Sequence, residues 1–288
     1  MEMKHIILFF IIITTASCAA TTRTISLKTE NYKQYVDIYS STDQKTVNNK
    51  IAFILLHGKS GTGREHTGTS GLAAELSDSG YTVYVPDMPY SPYTATLNVA
   101  FKHIDGLVKK AALENKKVIL VGHSIGAAIA FLYCSAYQCS PDMAGIVMAA
   151  PGHMLQLSTK IQEATALNVQ RARKLAKQGK GNIKTTFVDM NQGRKLNVDT
   201  SPDIYLSYFD PAQFPNPATH LDILKVPVLW IDGVDDAAAA RMGYENLFDR
   251  IHKYTNYKQN KYIEVSGGHI SMMDYIAEPI LTWTKLFE

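Results

Sequence analysis

Cysteine is scarce, with only three in 288 residues, at positions 18, 134 and 139. None stands at a metal-ligand spacing, which excludes a zinc-finger frame. Charge of one sign is also lacking: 29 basic residues against 26 acidic ones leave a formal net charge of +3. That is too small for a nucleic-acid-binding surface, and no basic helix offsets it. Internal repeats and low-complexity tracts are missing. The only long apolar stretch at the N-terminus is too short to span a bilayer. What remains is ordinary for a globular protein, with 46% apolar and 19% charged residues. The length suits one large domain with a sizeable core.

The N-terminus reads as a leader over residues 1–17. Lys4 and His5 precede the apolar run Ile6–Ile13, and Thr14, Thr15, Ala16, Ser17 and Cys18 follow. A positive start, a short apolar stretch and a small-residue site make a secretory signal. Cys18 sits where a bacterial lipoprotein signal carries its lipidated cysteine. Ala16 and Ser17 fit the small residues before it, while Thr15 replaces the usual Leu. The expectation is an exported protein of the periplasm or cell envelope, membrane-anchored through a lipid on Cys18. The alternative is ordinary cleavage near Ala19 or Ala20. Export would favour a disulfide between Cys134 and Cys139, with two buried thiols as the other reading.

From Tyr35 the chain alternates strand and helix signals. Tyr35–Tyr39 reads as a half-exposed strand. Ile51–Leu56 is a continuous apolar run that suits a strand buried on both faces. The strands 81–85, 117–121, 144–149, 226–231 and 261–265 follow, with helices predicted over 71–79, 97–114, 124–137, 238–253 and 274–287. The pattern predicts a mostly parallel central sheet with helices on both faces. Residues 153–222 interrupt it. They open with a predicted helix over 155–178, pass Gly179 and Gly181, and end in a proline-rich piece. A long insertion at a sheet edge is commonly a lid over a site. Its helix is basic (Lys160, Arg171, Arg173, Lys174, Lys177), which suits either anionic lipid or a solvated face. Tyr205, Tyr208 and Phe209 either line a pocket or pack the insertion.

The chemistry-bearing motif is Gly122-His123-Ser124-Ile125-Gly126, set between a strand and an apolar helix. A nucleophilic serine needs a sharp turn that lifts its hydroxyl above the sheet. Flanking glycines leave the backbone room to make that turn. The helix that starts there aims its N–H groups at developing negative charge. A bare G-x-S-x-G is weak, and its bland reading is a serine that caps a helix. Between a buried strand and an apolar helix it is strong.

The sequence resembles the α/β-hydrolase superfamily from about residue 35 to the C-terminus, apart from the insertion. The resemblance implies an α/β-hydrolase fold with an inserted lid, and roles for four further positions. His57-Gly58 after the buried strand begins an oxyanion loop, so the backbone N–H groups of Lys59 and Ile125 are the expected oxyanion donors. Gly58, Gly61 and Gly63 suit such a loop. A phosphate-binding reading fails because Ala52 and Phe53 stand where the leading glycine of a P-loop would be. His269, in Ser266-Gly267-Gly268-His269 after the last strand, is the expected general base. Imidazole as a group titrates near neutral pH and can pass the serine proton to the leaving group. After the strand ending Trp230-Ile231-Asp232-Gly233, the family pattern G-x-x-D selects Asp236 as the acid. Asp235 is the alternative, and Asp232 fits less well. His123 is expected to point away into packing.

The implied activity is cleavage of a small carboxylic ester or acyl substrate, without metal or organic cofactor. A thioesterase, amidase or peptidase would use the same residues. A non-catalytic envelope binding protein that kept the fold is the rival from another class.

Overall fold

The structure, a computed structural model, describes residues 20–29, 32–42, 48, 50–59, 67–114, 116–137, 139–219, 221–237 and 245–288. The predicted leader, Cys18, Gly61, Gly63 and the first residues of the predicted helix 238–253 lie outside them. Among the described residues no helix is long and apolar enough to cross a membrane.

The strands are β1 (Ala20–Thr29), β2 (Tyr32–Ser41), β3 (Ile51–Leu56), β4 (Thr82–Pro86), β5 (Lys117–His123), β6 (Met143–Ala149), β7 (Thr185–Asn191), β8 (Arg194–Thr200), β9 (Val228–Gly233) and β10 (Lys261–Val265). Eight of them form one sheet in the order β1-β2-β4-β3-β5-β6-β9-β10. From β4 to β10 all neighbours pair parallel, and β2 runs against both of its neighbours. β7 and β8 form a separate antiparallel hairpin. The helices are α1 (Thr67–Asp78), α2 (Leu97–Ala112), α3 (Ile125–Leu132), α4 (Thr159–Lys177), α5 (Pro202–Phe209), α6 (Glu245–Thr255) and α7 (Ala277–Thr284).

The apolar runs explain the layers. Along β3, Ala52, Ile54 and Leu56 face a core shared with α2, α3 and α6. Ile51, Phe53 and Leu55 face a second core shared with α1 and α7. With period-two alternation, a strand covered on both sides has no solvent face to make polar. Each such Leu or Ile contributes about 1.5–3 kcal/mol on burial, so a polar residue anywhere in the run is costly. β2 lies nearer the edge and shows the half-buried pattern, with Gln34, Val36 and Ile38 inward.

Several boundaries differ from the sequence reading. The predicted helix 155–178 is broken at Ser158. Leu155–Leu157 forms a short 3-10 turn, and Ser158 caps α4 by accepting from the Ile161 N–H. That hydroxyl satisfies an orphan amide, so the helix starts there. The predicted helix 124–137 ends as α3 at Leu132 and continues as a π-helical turn, Tyr133–Tyr137. The closing helix 274–287 is shorter because Pro279 has no N–H and fits only the first turn of α7. β1, threonine-rich and half-exposed, precedes the first strand read from the sequence. The β7–β8 hairpin was missed altogether.

Of the two readings for the paired cysteines, the disulfide holds: Cys134 and Cys139 are bonded, with Cα atoms 4.1 Å apart. The helix gives out between them, which lets Cys139 turn back. Alkylation of the denatured chain without reductant is therefore expected to leave the peptide carrying both residues unmodified, and labelling after reduction to modify both. Peptide mass mapping checks this.

Candidate active site

Five parallel strands deliver the site at their carboxyl ends, where loops of α/β sheets gather. Lys59 follows β3, Ser124 follows β5, Gly152 follows β6, Asp236 follows β9 and His269 follows β10. Ser124 lies on a turn with φ 56° and ψ −121°. This is a conformation that side chains other than glycine rarely adopt, and it persists only where the surroundings enforce it. They do so through close backbone contact. A Cβ on Gly122 would lie 2.3 Å from Gly126 O, and one on Gly126 2.3 Å from Leu56 O. Both motif glycines are thus required by space, and the turn presses β5, α3 and the end of β3 together.

The hydroxyl of Ser124 lies 2.9 Å from His269 Nε2, and His269 Nδ1 lies 2.8 Å from Asp236 Oδ2. A carboxylate only accepts, so Nδ1 carries the proton and Nε2 is the acceptor for the serine O–H. Asp236 is buried, with its side chain 3% exposed, against 14% for His269. Asp235 is exposed and its amide donates to Gly267 O at 3.0 Å. The structure therefore joins Asp236, not Asp235, to the imidazole. Asp232 is taken elsewhere: its Oδ2 accepts from Trp230 Nε1 at 3.0 Å and from Tyr262 Oη at 3.1 Å.

Lys59 lines the same cleft as Ser124, and Ile125 follows the serine directly. Ile125 is the first residue of α3, and its amide, like that of Lys59, has no backbone partner among the described residues. Gly58 is so close to the serine that a Cβ there would sit 3.3 Å from Ser124 Cβ. His57 shapes this loop from beneath. Its Nε2 accepts from the Met88 amide at 3.0 Å, so its Nδ1 donates to Gly58 O at 2.7 Å, and Tyr90 Oη donates to His57 O at 2.7 Å.

His123 corrects an expectation. It does not point away: its Nε2 donates to the carbonyl of His269 at 2.7 Å. The residue before the serine thus holds the loop that carries the imidazole. Other residues of the site had no sequence signal. Gly152 leaves the serine open, since a Cβ there would be 2.9 Å from Ser124 Oγ. His153 lies beside it with φ 58° and donates from Nε2 to Tyr208 O at 2.9 Å. Burial, reinforced by the nearby Lys59 charge, lowers its pKa to about 3, so it is neutral at working pH.

A cleft of about 880 Å³ opens over Ser124. One wall is the 3-10 turn and the start of α4, with Leu157, Ile161 and Ala164. The other is the hairpin tip, Met190 to Gly193. Tyr205, Tyr208 and Phe209 do not border it. They pack the insertion instead, with the Tyr205 ring stacked between Phe187 and Phe209 at 4.4 Å from each. The basic side of α4 is partly structural: Arg173 pairs with Asp210, and Arg171 lies over the Phe187 ring.

Residues 53–278 match the model of the alpha/beta hydrolase family. The chain belongs to that family. No curated protein matches it significantly in sequence. Among solved structures, this family member is similar to an esterase from Pyrococcus furiosus (TM-score 0.60, 14% identity, covering 92% of this chain and 90% of that one). It is also similar to Est1E from Butyrivibrio proteoclasticus (TM-score 0.58, 18% identity, 91% and 99% covered). A third is a thioesterase domain from the curacin biosynthetic pathway (TM-score 0.57, 17% identity, 90% and 99% covered). At these identities the likeness is one of fold.

Asp232 gives this family member a pH-dependent stability. Burial, with smaller contributions from the Asp236 and Glu264 charges, raises its carboxyl to about 6, against the pull of the Trp230 and Tyr262 hydrogen bonds. A raised folded pKa means the native state binds the proton more tightly. The contribution is therefore present below about pH 4 and lost as pH rises through about 6. Asp232→Asn is expected to gain about 2–3 kcal/mol relative to the parent on going from pH 4 to pH 7.5. Urea unfolding at the two pH values measures it.

Proposed function

We propose that this protein is a serine hydrolase that cleaves carboxylic esters through an acyl-enzyme on Ser124. The observation that carries the reading is the hydrogen-bonded chain Ser124–His269–Asp236, assembled from residues 33 to 145 positions apart. Asp236 holds the imidazole with its proton on Nδ1 and stabilises the cation that forms. His269 Nε2 takes the proton from Ser124 as the oxygen attacks the ester carbonyl. The tetrahedral oxyanion is held by the amides of Lys59 and Ile125. His269 then protonates the departing alcohol, and the acyl group stays on Ser124. Water, deprotonated by the same imidazole, releases the acid and restores the serine. The mixed lining of the cleft, apolar along α4 and amide-rich at Asn191 and Gln192, suits an amphipathic substrate. The insertion acts as its cap.

Ser124→Ala is expected to abolish turnover of short p-nitrophenyl esters and labelling by a fluorophosphonate probe. Asp236→Asn should lower kcat by roughly a thousandfold or more, through the wrong imidazole tautomer. Asp235→Asn should stay within about threefold of the parent, because it does not touch the imidazole. A folded parent that takes no label on Ser124 would favour a non-catalytic binding protein.

We also propose export to the periplasm or cell envelope, with a lipid on Cys18 as anchor. The leader pattern supports this, and so does the Cys134–Cys139 disulfide, which persists in oxidising compartments. The intact mass of protein from a bacterial membrane fraction is expected to show an acylated Cys18 as first residue. A free amine at Ala19 or Ala20 would replace the anchor with simple cleavage.

A further inference from the structure

The side chain of Lys59 is unusual for a residue valued only for its amide. It is 9% exposed and donates to Asp189 Oδ1 at 2.7 Å and to Met190 O at 3.1 Å. Asp189 is 4% exposed and is satisfied further by Tyr93 Oη at 2.9 Å and by the Met190 amide at 2.6 Å. Two charges out of water are costly unless their geometry is good and their remaining hydrogen-bonding capacity is used. Here Asp189 accepts three hydrogen bonds, Lys59 donates two of its three and lies 5.6 Å from the Phe209 ring centroid, and the two ends of the pair lie 130 residues apart. One end is the loop that lies against Ser124. The other is β7, whose next residues, Met190 to Gly193, line the cleft. The hairpin is braced behind: Tyr205 Oη donates to Val188 O at 2.6 Å, and Thr200 Oγ1 to Tyr93 O at 2.7 Å. The ties through His57 act upstream of Lys59. At position 59 itself the hold shown is the ion pair.

We propose that Asp189 is a positioning residue for the oxyanion loop: through the buried Lys59–Asp189 pair it sets the Lys59 main chain beside Ser124 and makes the hairpin a fixed wall of the cleft. The inference rests on the serine-hydrolase reading, in which the Lys59 amide receives the oxyanion. Asp189 touches no reacting atom. Its influence is on transition-state geometry, so it should appear in kcat and in the binding of tetrahedral mimics, not in ground-state affinity.

The test uses the full chain and four proteins: the parent, Asp189→Asn, Asp189→Glu and the doubly neutral Lys59→Met/Asp189→Leu. Each is assayed on p-nitrophenyl butyrate and for inhibition by phenylboronic acid, which forms a tetrahedral adduct on an active serine. Circular dichroism confirms folding. Asp189→Asn is expected to lower kcat about ten- to a hundredfold with KM little changed, and to raise the boronate Ki by a similar factor. Asp189→Glu should recover part of both. Because an unpaired buried lysine can unfold the protein, the double variant removes both charges at once, and it too should be slow and bind boronate weakly. A folded Asp189→Asn or double variant with kcat and boronate Ki within about twofold of the parent overturns the proposal. Failure of the underlying reading looks different: the parent itself would then neither turn over esters nor take a fluorophosphonate on Ser124.

Discussion

Ser124 is held at φ 56° between the end of β5 and the first turn of α3, and the strands and helix around it must be packed to keep it there. A positive φ at a serine is unfavourable by itself, of order 1–3 kcal/mol, and survives only where neighbours leave no alternative. Here the neighbours are backbone: Leu56 O at the end of β3 and the first turn of α3, each within a few ångströms of where a Cβ on Gly126 or Gly122 would stand. Two buried central strands and one apolar helix must therefore be in place before the hydroxyl is presented. The cores on both faces of the sheet hold them there, and Ile51–Leu56 and Val118–Val121 are accordingly apolar without a break.

Around that turn the protein supplies fixed donors and acceptors instead of mobile ones. His57 is locked from below by Met88 and Tyr90, and His123 grips the carbonyl of His269. The imidazole tautomer is settled by Asp236. Such preorganisation means little has to rearrange as charge develops during a reaction. The insertion extends the same logic. Its aromatic stack and the buried Lys59–Asp189 pair make it a wall joined to the loop after β3, continuous with the core of the sheet. In this reading the insertion helps determine the chemistry as well as the access to it.

Much of this was legible in residues 51–149, where continuous apolar runs, glycine stops and one short motif coincide. The serine could be named from its motif between a buried strand and an apolar helix, whereas the acid and the histidine were named from the family pattern, the acid after buried β9 and the histidine after the half-exposed edge strand β10. The hairpin β7–β8 was not legible, for a physical reason. Its inward positions are Phe187 and Asp189, so an acid stands where an apolar residue would have completed the alternation. Nearly all of β8 is exposed. The turn signal, Gln192-Gly193 with φ 48° and 79°, was present but unsupported by its flanks. His123 was misjudged because its partner is a main-chain carbonyl 146 residues away.

The order and type of the central elements, and the identity of the turn that bears the serine, are written in the chain locally. These depend on local periodicity and on steric demands between near neighbours. Three things emerge from packing alone: which of two adjacent aspartates meets the imidazole, that Cys134 and Cys139 join, and that Lys59 is paired with an acid from the insertion. Those choices turn on the direction of side chains leaving loops and hairpins. Direction there is set by packing from distant segments, to which no local pattern is sensitive.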